Sequence, residues 1–200
     1  MPVSISHVPW SAVFGNDRPV EVEIGPGSGE VLLAGAAAAP AVNFFAIERR
    51  SGAATAVAHR AHARGLRNVR VLAADARAVI EHLIGDASVA AYHVYFPDPW
   101  PKTRHRDRRL VTDGVAHQLL RTLVPGGALH LATDVQQLLE AFATALVRAG
   151  LARLAGSIPP AGRPVTVYEC RYAGAGTHYA RFVRPRPDGT GAPAPVAGDF

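Results

Sequence analysis

Two hundred residues, 48% of them hydrophobic, are enough to bury one substantial core, and the length predicts a single domain. Twenty-one Lys and Arg against 16 Asp and Glu leave a net charge of +5, and a sequence pI near 10.0 favours a polyanionic partner. The lone Cys170 excludes an internal disulfide and any multi-cysteine zinc site, and neither a secretory leader nor a membrane-length apolar run is seen, so a cytoplasmic protein without membrane contact or bound metal is expected.

In chain order, residues 1–19 hold Trp10 and Phe14 ahead of the turn-forming Gly15-Asn16-Asp17, and predict an ordered lead-in. A β-rich run over 20–24 gives a first strand, closed by Gly25-Pro26-Gly27-Ser28-Gly29 and followed by a helix to about Ala39. NFFAIE at 43–48 repeats the strand pattern, 51–64 is helical, 69–73 is a third strand ending before Asp75, and 76–84 is a short helix. A fourth strand is predicted over 89–96. Beyond a basic loop come a helix to about Leu123, a Pro125-Gly126-Gly127 turn, a fifth strand over 128–132 and a helix over 135–149. Past Gly150 the alternation fails, residues 165–171 fit either a strand or a short helix, and 177–183 reads as a last, antiparallel strand. From residue 185 Pro, Gly and Ala dominate without period, which predicts a disordered tail. The expected organisation is a lead-in over 1–19, one domain over 20–184 and a tail over 185–200. Strands alternating with helices make the fold class α/β, doubly wound, with a mostly parallel sheet.

In such sheets ligands bind beyond the carboxyl ends of the strands. Gly25, Gly27 and Gly29 after the first strand, Glu48 after the second, Asp75 after the third, Asp98 after the fourth, and Thr133 and Asp134 after the fifth are therefore expected to line one crevice. The glycines permit a close backbone approach to a ligand, although a tight strand-to-helix turn uses them equally well. Their G-x-G-x-G spacing departs from the dinucleotide G-x-G-x-x-G and points away from a nicotinamide cofactor. Glu23, in an apolar central strand, needs a donor or a cation; S-adenosylmethionine offers both. Glu48 suits a ribose diol or an ion pair with Arg49 or Arg50. Asp75 suits an adenine amino group or a helix cap, and Thr133 and Asp134 suit capping or substrate contact. His93 reads as core.

Residues 92–111, YHVYFPDPWPKTRHRDRRLV, join a strand, a rigid turn and a dense positive block. Pro97, Pro99 and Pro101 end the strand and fix Asp98 and Trp100 at low entropic cost. The indole suits stacking on a base. Lys102, Arg104, His105, Arg106, Arg108 and Arg109 follow, with Asp107 opposing them, as a platform for nucleic-acid phosphates or a solvated face.

The run FPDPWPKTRHRDRRLV resembles the signature of the bacterial tRNA (guanine-N7-)-methyltransferase family, class I S-adenosylmethionine-dependent enzymes of Rossmann-like fold. The likeness extends to VEVEIGPGSG, NFFAIE, LRNVRVLAADA, LVPGGALHLATD and, more loosely, TVYECRY. The resemblance implies methyl transfer from S-adenosylmethionine to N7 of a guanosine in tRNA, in the variable loop. It implies cofactor contacts at Glu23, Gly25, Gly27, Gly29, Glu48, Asp75 and Asp98, with Asp98 catalytic. It further implies substrate contacts at Lys102, Asp134, Thr166, Val167, Tyr168 and Glu169, and RNA contacts from Arg104 to Arg109. Where the family reads Thr-Lys-Phe-Glu, this chain has Thr166-Val167-Tyr168-Glu169, and the stretch before the first strand is too short for the basic arm that relatives use to hold tRNA. A same-fold methyltransferase for another RNA or a small heteroaromatic substrate, and a non-catalytic RNA-binding protein on this fold, are the alternative readings. Oligomeric state is left open.

Overall fold

The computed structural model describes residues 7–98, 110, 112–156 and 176–188. Its elements run α1 (Trp10–Phe14), β1 (Val20–Ile24), α2 (Glu30–Ala38), β2 (Asn43–Glu48), α3 (Ser51–Ala63), β3 (Val69–Ala73), α4 (Ala76–His82), β4 (Val89–Tyr95), α5 (Asp113–Thr122), β5 (Leu123–Thr133), α6 (Gln136–Ala149), β6 (Ala152–Arg153) and β7 (His178–Val183). The strands form one sheet in the order β3-β2-β1-β4-β5-β7-β6. The first five are parallel, and β7 runs antiparallel to both β5 and β6.

Every residue of β1 and β2 is buried, because helices cover both faces of a parallel sheet and leave no strand face for water. Side chains alternate across β2: Phe45 and Ile47 join Val22, Ile24, Tyr92, Leu129 and Leu131 in a core that α4, α5 and α6 close. Phe44 and Ala46 pack with Leu32, Leu33 and Val57 of α2 and α3 on the other face. The lead-in contributes to the larger core. Trp10 lies 5.1 Å from the Phe45 ring and donates its indole N–H to the Ser88 carbonyl at 2.9 Å.

Two elements depart from the sequence reading. The Pro125-Gly126-Gly127 segment is part of β5 rather than a turn before it. Between the pairs Val89↔Leu123 and Ala91↔Ala128 the ladder advances two residues along β4 and five along β5, so the surplus is taken up as a bulge. Hydrogen bonds from Gly126 N to Arg184 O (2.8 Å) and from Arg184 N to Gly127 O (2.9 Å) hold that bulge in place. The two-residue β6 was too short to read from pattern. Among the described residues no helix is long and apolar enough to cross a membrane.

Asn68 ties α2 to the edge of the sheet. Its side-chain amide, mostly buried, donates to the carbonyls of Ala36 (3.0 Å), Ala39 (3.3 Å) and Val42 (2.9 Å) at and just beyond the end of α2. Asn68→Ala is expected to lower stability by about 2 kcal/mol, seen as a lower urea midpoint at an unchanged slope.

Candidate active site

The strand order reverses between β1 and β4, and a cavity of about 630 Å³ opens at the carboxyl ends of β1 to β4. This is where an open α/β sheet leaves a crevice between helices that depart toward opposite faces. Glu23, Gly25, Gly27, Glu48, Asp75 and Asp98 all line it. Six side chains or backbone turns expected at strand ends are thus brought together.

Gly25 and Gly27 have φ of +70° and +55°, and a Cβ on either would meet no atom within 4 Å. The left-handed backbone demands glycine there, while the space beside it stays open for a ligand. Gly29 does different work. It does not line the cavity, and a Cβ there would approach Val57 Cγ1 to 2.9 Å, so its lack of a side chain lets α2 pack on α3.

Glu23, 5% exposed, stands on β1 between Ala46 of β2 and His93 of β4. Glu48, 6% exposed, accepts from the backbone N–H of Arg50 at 2.9 Å, and the Arg50 guanidinium lies 3.5 Å from the same oxygen. The ion-pair reading of Glu48 is met at Oε1, and Oε2 makes no hydrogen bond among the described residues. Asp75 caps α4, with Oδ1 accepting from Arg77 N (2.9 Å) and Nε (3.1 Å) and Oδ2 from Nη2 (2.8 Å). The side-chain hydrogen bonds from Arg77 hold its carboxyl below the ordinary range.

Asp98 is exposed at the rim. It follows Phe96, whose φ of +50° places an aromatic residue in the left-handed region, a conformation that persists only where its surroundings enforce it. The Phe96 N–H donates to Ala132 O at 2.8 Å, and Pro97 comes next. Together they turn the chain so that Asp98 reaches the crevice.

Behind this wall lies a buried polar row. Register aligns Glu23 with His93, His93 with His130, and His130 with Arg181. His93 Nε2 lies 2.8 Å from Glu21 Oε2, and Nδ1 lies 3.0 Å from the Tyr95 hydroxyl. With Nε2–H donated to the carboxylate, Nδ1 accepts the Tyr95 proton. His130 stacks on His93 at 5.1 Å, and burial pushes its pKa well down, so it is neutral. Sequence reading treated His93 as core and overlooked Tyr95 as a cavity-lining residue. The available signal was alternation, since Glu21 and Glu23, like His93 and Tyr95, share one face of the sheet.

Thr133 and Asp134 sit at the end of β5 but do not line the cavity. The crevice is centred on β1, and β5 lies beyond β4 from it. Thr133 Oγ1 accepts from Val135 N at 3.2 Å, a local bond at the start of α6. Trp100, Lys102, Arg104, His105, Arg106, Arg108, Arg109, Thr166, Val167, Tyr168 and Glu169 lie outside the described residues. The chemistry on view suits a ligand with a cation at one end and a diol at the other, placed against glycine backbone.

The family model described as "Putative methyltransferase" matches residues 17–178. A tRNA (guanine-N7-)-methyltransferase of Cronobacter sakazakii is 41% identical over 165 residues, covering 80% of this chain and 69% of that protein. One from Vibrio vulnificus is 40% identical over 168 residues, with 81% and 70% covered. Among solved structures, the aminoglycoside resistance methyltransferase NpmB1 superposes with a TM-score of 0.57 at 19% identity, covering 87% of this chain and 91% of that one, a likeness of fold.

Asp75→Ala removes both a helix cap and an ion pair. The Asp75 side chain is 38% exposed, so solvent screens the pair and the expected loss is about 1 kcal/mol. Because the folded-state pKa lies below the ordinary 3.8, this contribution is complete above that value and disappears as pH falls through the depressed folded pKa. Wild type and variant should therefore differ in denaturant midpoint at pH 7 and converge in strong acid.

Proposed function

The chain belongs to the tRNA (guanine-N7-)-methyltransferase family, and from that premise we propose how its residues divide the work of methylating guanine N7 in tRNA with S-adenosylmethionine. The observation that carries the assignment is the meeting of a left-handed glycine turn, two buried glutamates and Asp98 in one crevice at the reversal of strand order.

The cofactor fits the donor set. Glu23 receives its ammonium end, the open backbone at Gly25 and Gly27 admits its methionine portion, and Oε2 of Glu48 accepts from the ribose hydroxyls. Asp75, whose Oδ2 keeps lone-pair capacity beside Arg77, borders the adenine. When bound, the cofactor supplies an electrophilic methyl group.

Guanine N7 has a lone pair and no proton, so the chain needs no general base. Its task is orientation, worth several kcal/mol when the reacting atoms are held in line. Asp98 accepts from the N1 and N2 donors of the guanine, and its negative charge stabilises the positive charge that develops on the ring as N7 is alkylated. Lys102 marks the O6 acceptor, Asp134 and residues 166–169 complete the substrate side, and Arg104, His105, Arg106, Arg108 and Arg109 hold phosphates. The exposed position of Asp98 at the rim accommodates a guanine that leaves its stack to meet the cofactor.

Incubation of purified protein with labelled methyl donor and unmodified tRNA, followed by nucleoside analysis, should yield 7-methylguanosine; label at any other position, or none, overturns the assignment. Asp98→Ala should lower methyl transfer by about 100-fold or more while cofactor affinity measured by calorimetry changes by less than about tenfold. Near-normal turnover in that variant would refute the role given to Asp98.

A further inference from the structure

At the opposite end of the sheet a second cleft, about 440 Å³ in volume, opens between the segment preceding β1, the end of α3 and the start of β3. Arg18, His62, Arg67 and Arg70 line it beside Phe14, and among the described residues no carboxylate does; Asp17, exposed and next in sequence to Arg18, is not part of the lining. All four basic side chains are exposed.

Their surroundings differ from those of five arginines elsewhere on the molecule, whereas Arg60 and Arg184, like two of the cleft arginines, are bonded to backbone carbonyls. Arg50, Arg77, Arg121, Arg148 and Arg153 each lie against a carboxylate, respectively Glu48, Asp75, Asp86, Asp113 and Glu140. Among the described residues Arg18, Arg67 and Arg70 form no ion pair. Backbone carbonyls anchor two of them instead. Arg18 Nη1 donates to Pro40 O at 2.9 Å, and Arg70 Nη1 donates to Arg67 O at 3.0 Å and Val69 O at 2.8 Å, with its guanidinium 5.4 Å from the centroid of the Phe14 ring. A carbonyl fixes the plane of a guanidinium without cancelling its charge and leaves most of its five N–H donors unused. Like charges thus line one cleft, two of them oriented by carbonyls and none ion-paired among the described residues, which is the arrangement that a doubly hydrogen-bonded phosphate satisfies.

We propose that this cleft binds the sugar–phosphate backbone of the tRNA substrate at a point remote from the reacting guanosine. The proposal rests on the function assigned above, since it takes the polyanion to be the same tRNA. Five strand residues at about 3.3 Å each separate cleft and crevice by roughly 17 Å along the strands. A single folded RNA spans that distance easily, given that one double-stranded RNA module covers about 16 base pairs. Contacts of this kind hold register and orientation and carry no sequence information. The site therefore governs affinity for tRNA and leaves the choice of guanosine to the crevice.

The test compares wild type with Arg18→Gln/Arg67→Gln/Arg70→Gln in direct binding of full-length unmodified tRNA across a salt series, with S-adenosylmethionine affinity as the control for an intact fold. The triple variant should bind tRNA about tenfold or more weakly near 0.1 M salt, with a slope of log affinity against log salt shallower by about two. Because Arg70 packs on Phe14, the double variant Arg18→Gln/Arg67→Gln is measured beside it, and should show a slope shallower by at least about one. Unchanged affinity and slope in both variants overturn the proposal and leave the cleft to another acidic partner. Failure of the wild type to methylate tRNA would instead count against the function assigned above, and the binding series reads the cleft independently of that outcome.

Discussion

The site depends on one constraint, the parallel pairing of β1 with β4 from Glu21↔Ala91 to Ile24↔Val94. The chain leaves β1 into α2, which joins the core on the α3 side, and leaves β4 toward α5, which joins the other core. Two neighbouring strands whose continuations part to opposite faces leave a gap at their carboxyl ends that no backbone crosses. The glycine turn, Glu48, Asp75 and Asp98 take their positions from that gap, since each ends or follows a strand whose carboxyl end lies at its edge.

Holding charge inside the sheet is the second demand. Glu21 and His93 are both buried and hydrogen-bonded across 72 residues of sequence. A buried hydrogen bond to a carboxylate contributes little net stability, because the cost of desolvating the carboxylate offsets most of the attraction. What the pair contributes is orientation. Glu21 fixes the tautomer of His93, His93 fixes the hydroxyl of Tyr95, and Tyr95 is part of the crevice wall. The wall at β4 is thus braced from behind by hydrogen bonds with a defined direction, where an apolar contact would allow rotation.

The sheet was legible because β1, β2 and β3 are short, β-rich and bounded by glycine or acidic residues, and β1 and β2 are buried on both faces. Glu23, Glu48, Asp75 and Asp98 were legible because topology alone sends strand-end residues to one edge. The packing of Gly29 against Val57 was not legible because a contact that joins two helices has no local signature. That Thr133 and Asp134 lie off the cavity lining was not legible, because sequence order says nothing about the distance of β5 from the switch point. The extra length of β5 depends on Arg184, a partner almost sixty residues later in the chain. In each case the missing information was a long-range contact, which periodicity does not encode.

A net charge of +5 is a weak descriptor of such a molecule, and the placement of unpaired charge is a stronger one. At the carboxyl end of the sheet, Arg50 and Arg77 are tied to Glu48 and Asp75, so their charge is largely cancelled where the crevice acids stand. A carboxylate-lined crevice attracts a cationic methyl donor and a base with N–H donors, and it repels phosphate. The RNA backbone must then be gripped outside the crevice while one base enters it. Guanidiniums anchored on carbonyls at the other end of the same sheet add positive charge away from the crevice acids. Separation of the two charge types along the strands lets a single small domain hold a cation and a polyanion at once.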